Sequence, residues 1–160
     1  MINRLASAGT AAALLGMAAP VLAQEKVGPP PALVDQLTAV ARENLPLARL
    51  KDGSQVPAET AEERAQPIVP RALEVQTIDR ALLSAAMNVC GLDSDELSYL
   101  PYMRAIRESA RYSDKQLAYV GLLHGVTLGA LEPTLDASIC NPELIESFKQ
   151  EAGSAPVATP

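Results

Sequence analysis

From residue 77 to residue 151, apolar side chains recur at three- and four-residue spacing, and each run is bounded by a residue type that starts or stops a helix. No alternating run long enough for a strand competes with this pattern. Thr77 reads as an N-cap followed by Ile78, Ala81, Leu82, Ala85, Ala86 and Val89, with Cys90 as the last residue and Gly91 as the stop. Asp93 or Ser94 caps a second run, in which Leu97, Leu100, Met103, Ile106 and Ala110 trace one face and Pro101 sits in the first turn. Ser113 with Gln116 is a capping-box pattern for a third helix, Leu117 to about Leu131, which Pro133 closes. Asn141-Pro142 gives a cap followed by proline at the first helical position, launching Glu143 to Glu151 with Leu144, Ile145 and Phe148 inward. The expected class is all-α, a small helical bundle of four to five helices with one disulfide.

Upstream, proline sets the boundaries. Residues 1–23 read as a secretory signal peptide, with Arg4 before an apolar stretch, Pro20 ending any helix, and Val21-Leu22-Ala23 as the cleavage site, cut after Ala23. Polar Gln24-Glu25-Lys26 cuts the apolar stretch short of a membrane anchor. Residues 24–31 carry Gly28-Pro29-Pro30-Pro31 and are expected to be an extended leader. An N-terminal helix is expected over 32–50, with Pro46 as a break near its end. Residues 51–76 shift to turn chemistry, with Asp52-Gly53-Ser54 and prolines 57, 67 and 70, and read as a linker with a possible short helix around Ala58 to Ala65. The C-terminal helical unit is then 77–152, and 153–160 a disordered tail.

The expected destination is the periplasm of a bacterial host or the medium. In such an oxidising compartment Cys90 and Cys140, the only cysteines, are expected to form one bridge. On chain-entropy grounds, closing a loop of about 50 residues contributes roughly 4 kcal/mol. Removing Arg4 with the signal peptide leaves twelve basic against nineteen acidic residues, a mature charge of −7. That balance, with tryptophan absent and aromatics at 3%, argues against nucleic acid as a partner.

Candidate chemistry is sparse. His124 is the only histidine, so no multi-histidine metal site is possible, and no catalytic residue, metal or cofactor is expected. Ser113 and Asp136 are the sort of partners a catalytic His124 would need, and the sequence does not bring them to it. His124 reads as a packed helix histidine, with pH sensing as its functional alternative. Gly121, Gly125 and Gly129 repeat every fourth position and align three residues without Cβ into a groove. Close packing against Ala81, Ala85 and Ala86 is the expected use of that groove, and ligand binding the alternative. Tyr99, Tyr102, Tyr112 and Tyr119 are interleaved with Arg104, Arg107 and Arg111; Tyr99, Tyr102, Arg104, Arg107 and Tyr112 form a possible partner surface, or else the edge of the core.

The stretch Gln116-Leu-Ala-Tyr-Val-Gly-Leu-Leu-His-Gly125, then Cys140-Asn-Pro-Glu143 and Phe148-Lys149, resembles the small periplasmic helical proteins around the HdeA-like acid-stress chaperones and related immunity proteins. The shared pattern covers roughly Cys90 to Ala152 and includes the signal peptide, the glycine-bearing helix and the spaced cysteines. The resemblance implies a disulfide-bonded helical protein of stress-chaperone or inhibitor type, and it carries over no functional residue beyond the cysteine pair. The expected function is accordingly non-enzymatic: an exported protein that binds another protein, with a small-ligand carrier using the glycine groove as the alternative.

Overall fold

A computed structural model describes residues 28–154. The expected signal peptide, residues 24–27 of the extended leader and residues 155–160 of the expected tail lie outside the described residues. The fold is all-α, with one disulfide and, among the described residues, six α-helices and no strand.

Helix α1, Pro31–Asn44, begins where Pro30 is still extended (ψ 138°) and Pro31 supplies a fixed φ at a position whose N–H has no helical partner. Val34, Leu37 and Ala41 form its buried stripe, and Leu45 continues the stripe into a 3₁₀ turn, Leu45–Leu47. Pro46 within that turn cannot continue an α-helix, which is why the expected helix over 32–50 stops early.

Residues 51–70 are not a free linker. Leu50 to Ser54 form a tight turn with Gly53 at φ +84°, closed by an antiparallel bridge between Arg49 and Gln55. Beyond it Val56 and Val69 are buried in the main core. Thr60 and Glu63 make a capping box that opens α2, Ala61–Arg64, inside the segment where a short helix is expected. The Arg42 guanidinium on α1 donates to both carboxylate oxygens of Glu59, at 2.8 and 2.9 Å, and to the carbonyls of Glu63 and Gln66. This fork anchors the segment to α1 and holds the Glu59 carboxyl below the ordinary carboxylate range.

Helix α3 spans Arg71–Val89, so it starts six residues before the expected cap at Thr77. Pro70, extended at ψ 141°, sets the true start, and Leu73 is already fully buried one turn before Thr77. Thr77 lies inside the helix, where its hydroxyl donates back to the Leu73 carbonyl at 2.7 Å and meets the Tyr102 hydroxyl at 2.7 Å. The C-terminus follows the expected signal: Gly91 takes φ +72°, its N–H bonds the Asn88 carbonyl, and the Leu92 N–H reaches back to Met87.

The Asp93 carboxylate accepts from the Glu96 N–H, and the chain then passes through a π-helical turn, Asp95–Tyr99, into α4, Leu100–Glu108. Pro101 explains the widened turn. It has no N–H to give and its ring crowds the carbonyl four residues back, while the Leu100 N–H bonds five residues back to Asp95. The extra residue rotates the expected face. Met103 and Ile106 point inward as expected, but Leu97 and Leu100 are 40% and 42% exposed, and Ser98 and Tyr102 take the buried positions. Ala110 is outside the helix altogether, in the left-handed region at φ 53°.

Helix α5, Asp114–Leu131, opens on the expected Ser113–Gln116 capping box and runs between α1 and α3. Tyr119, Val120 and Leu123 join Val34, Leu37, Leu73 and Ile78 in one core. The N-terminal helix therefore shares its core with the C-terminal unit. After α5 come two short 3₁₀ turns, then α6, Pro142–Ser154, whose Leu144 N–H is accepted by the Asn141 side chain. Gly153 and Ser154, placed in the tail on sequence grounds, complete α6. Ala152 and Phe148 pack on Leu83, Met87 and Leu92, and the Cys90–Cys140 bridge, with Cα atoms 5.4 Å apart, ties the end of α3 to the entrance of α6.

Candidate functional site

Two polar features converge on α5. The first is sealed inside the bundle. His124 is 3% exposed and its Nε2 lies 3.1 Å from Ser84 Oγ, which donates to Ser98 Oγ at 3.0 Å. The Tyr99 ring stacks obliquely on the imidazole with centroids 4.5 Å apart. Ser84 comes from α3 and Ser98 from the π turn, so the chain of hydroxyls and imidazole links three elements. Burial, and secondarily the charge of Arg80, push the His124 pKa down to about 4. His124 is thus held neutral, as a packed histidine. Serine beside imidazole is also the arrangement of a nucleophile and its base, but Ser84 and Ser98 are both 0% exposed, and no substrate can reach Ser84 in this arrangement. Ser113 and Asp136, the partners considered from sequence, are not the groups that meet His124.

Arg80 and Glu74 are further buried polar residues of α3 without a marked role in the sequence, and Thr77, expected as a cap, is buried beside them. Arg80 lies over the Tyr102 ring at 5.6 Å and donates to the Ala152 carbonyl at 3.0 Å. Tyr119 donates to Glu74 at 3.0 Å, and burial raises the pKa of both Tyr102 and Tyr119. The Thr127 hydroxyl, one turn beyond His124, is buried without a hydrogen-bond partner. Their sequence signal was weak: each stands in an otherwise helical apolar pattern where a hydrophobic residue would fit as well.

The second feature is open to solvent. A trough of about 640 Å³ lies between the turn after α1, the side of α4 and the first half of α5. Tyr99, Met103, Leu117 and Leu122 form its apolar floor, and Arg49, Lys51 and Arg107 stand around it with one carboxylate, Asp114. Gly121 lies in the floor. A Cβ there would come within 3.1 Å of the Tyr99 hydroxyl, so any larger residue would push the tyrosine's tip aside by a few tenths of an ångström.

The glycine stripe is otherwise not a packing seam. Gly125 and Gly129 are exposed, and a Cβ at either would meet nothing within 4 Å. The expected contact with Ala81, Ala85 and Ala86 fails because α5 turns His124, Leu123 and Thr127 toward the interior instead. His124 likewise leaves the groove for the interior. Of the possible partner surface, Tyr102 is buried at 3% exposure, Tyr99 and Tyr112 are half-buried at the core margin, and Arg104 and Arg107 are exposed. Among the described residues no group of three or more histidine, cysteine, aspartate or glutamate side chains is placed to hold a metal ion, and no helix is long and apolar enough to cross a membrane. No protein-family model, curated protein or solved structure matches the chain.

Proposed function

We propose that this chain is an exported, non-enzymatic helical protein that acts by binding another protein. The observation that carries the reading is the solvent face of α4 and its π turn. Leu100, Arg104 and Arg107 follow at helical spacing, Leu97 lies one turn earlier, all four are exposed, and Arg107 lines the trough. Arginine beside a half-buried tyrosine is the pairing enriched at protein-binding hot spots, and the exposed leucines add apolar surface next to it. The bridge between Cys90 and Cys140 is compatible with an oxidising compartment, in line with the signal peptide read from sequence. The resemblance to stress-chaperone and immunity proteins fits the same role.

A small-ligand carrier is the second reading, favoured by Gly121 in the trough floor. Enclosure is against it, because small-molecule sites commonly bury most of their ligand and this trough is only partly enclosed. The test is site-specific photo-crosslinking in cells expressing the full chain. A photoreactive residue at Arg104 should capture a protein that one at Glu146, on α6, does not. Absence of any protein adduct at 104, with a small molecule retained in native mass spectra, would replace the leading reading by the second.

A further inference from the structure

The geometry points to the trough between the turn after α1, α4 and α5 as a docking site for an acidic amphipathic helix of a partner protein; this rests on the protein-binding reading above. Charge carries the choice of occupant. The chain as a whole bears −6, yet the trough gathers Arg49, Lys51 and Arg107 against the single carboxylate of Asp114. An excess of two positive charges in an otherwise acidic molecule selects for carboxylates and repels a basic partner.

One cation is held by local structure and two are exposed on the banks. Arg49 donates to the Gly53 carbonyl at 2.9 Å, which holds its guanidinium over the tight turn, and Lys51 is exposed in that same turn. Arg107 is exposed in the last turn of α4. Between these two banks the floor is apolar, formed by the partly buried Tyr99, Leu117 and Leu122 over the buried Met103. An open trough with an apolar floor and charged banks is the geometry of helix-in-groove recognition, in which apolar residues at three- and four-residue spacing face down and charged ones meet the rim. A fatty acid would satisfy the same charges but leave much of its chain in water.

Titration of isotope-labelled protein by three probes decides the matter. These are a short peptide with leucines at helical spacing and glutamates elsewhere, its lysine counterpart, and laurate. The acidic peptide should shift the amide signals of Lys51, Ala118 and Gly121, bind about tenfold more weakly to Lys51→Glu and Arg107→Glu proteins, and weaken with added salt. Both substitutions are at exposed positions, and unchanged thermal midpoints would show that folding is intact. Equal binding of acidic and basic peptides, shifts confined to another face, laurate alone acting on the trough, or no binding by any probe would each overturn the inference. If the acidic peptide fails while crosslinking at 104 still captures a protein, only the trough chemistry falls; if both fail, the protein-binding reading falls as well.

Discussion

The bundle holds two cores of different construction. The main one, shared by α1, the 51–70 segment, α3, α4 and α5, is built from leucine, valine and isoleucine with Ala41, Met103 and two tyrosines, and its members are almost completely buried. The lesser one, where α6 meets the end of α3, has only Leu83, Met87 and Ala152 fully inside, with Leu92 and Phe148 partly covered. Apolar burial contributes about 25 cal/mol per Å², so three buried side chains hold a thirteen-residue helix weakly. A covalent bridge and the Arg80 hydrogen bond to Ala152 stand exactly where that shortage is. Where the core is large, packing suffices; where it is small, a crosslink substitutes.

Breaking the bridge is the most severe test of this contrast. Cys140→Ser should lower stability by roughly 4 kcal/mol by removing closure of the Cys90–Cys140 loop from the unfolded chain. Hydrogen exchange should show α6 amides losing protection before those of α1 and α5. Uniform loss across all helices would mean that the two cores are one cooperative unit.

Acid probes the polar seam of the main core. The pKa of His124 is about 4 when folded, against an ordinary 6.5, so the unfolded chain takes up a proton that the folded chain refuses. The stabilisation is fully present above pH 6.5 and is lost as pH falls toward 4, by up to about 3 kcal/mol. Because His124 is the only histidine, the part of this loss above the carboxylate range belongs to it. Chemical denaturation at a series of pH values should therefore slope for the natural chain and stay flat over that window for His124→Gln; a flat profile for both would show that His124 is not held neutral.

Glycine substitutions separate the trough from the open end of α5. Gly121→Val forces the Tyr99 hydroxyl aside and should cost about 1–3 kcal/mol in thermal unfolding. Gly125→Ala, with open space around its Cβ, should instead stabilise by about 0.5–1 kcal/mol through helix propensity. A loss at both positions would restore the packed-stripe reading. An effect of the same small size is expected at Ala110, whose left-handed φ suits glycine: Ala110→Gly should raise stability by about 0.5–1 kcal/mol, measured by denaturant midpoint.

Legibility in the sequence followed the range of the interaction. Gly91, the Ser113–Gln116 box and Asn141-Pro142 act within a few residues, and each sits where local chemistry requires. Thr77 was misread because threonine before an apolar residue looks like a cap, while Pro70 and Leu73 carry the helix back a further turn and a half. The Ser84–His124 pairing spans forty positions and three elements, and nothing local marks Ser84 as its partner. The trough is legible only as fragments: Gly121, Tyr99 and Arg107 stand out, but the 48–51 turn that completes it falls across the end of the expected 32–50 helix and the start of the expected linker.

The widened turn before Pro101 amounts to a one-residue insertion in the helical register. That insertion puts Ser98 beneath the bundle and the 97 and 100 leucines in water, so the hydroxyl–imidazole chain and the binding face are two products of a single shift. Deleting one residue between 95 and 99 would advance every later side chain of α4 by about 100° relative to the turn, since each residue of an α-helix contributes that rotation. A change of length in this turn would therefore alter the buried seam and the exposed surface together, which makes it a point where the interior and the interaction properties of the molecule are tuned as one.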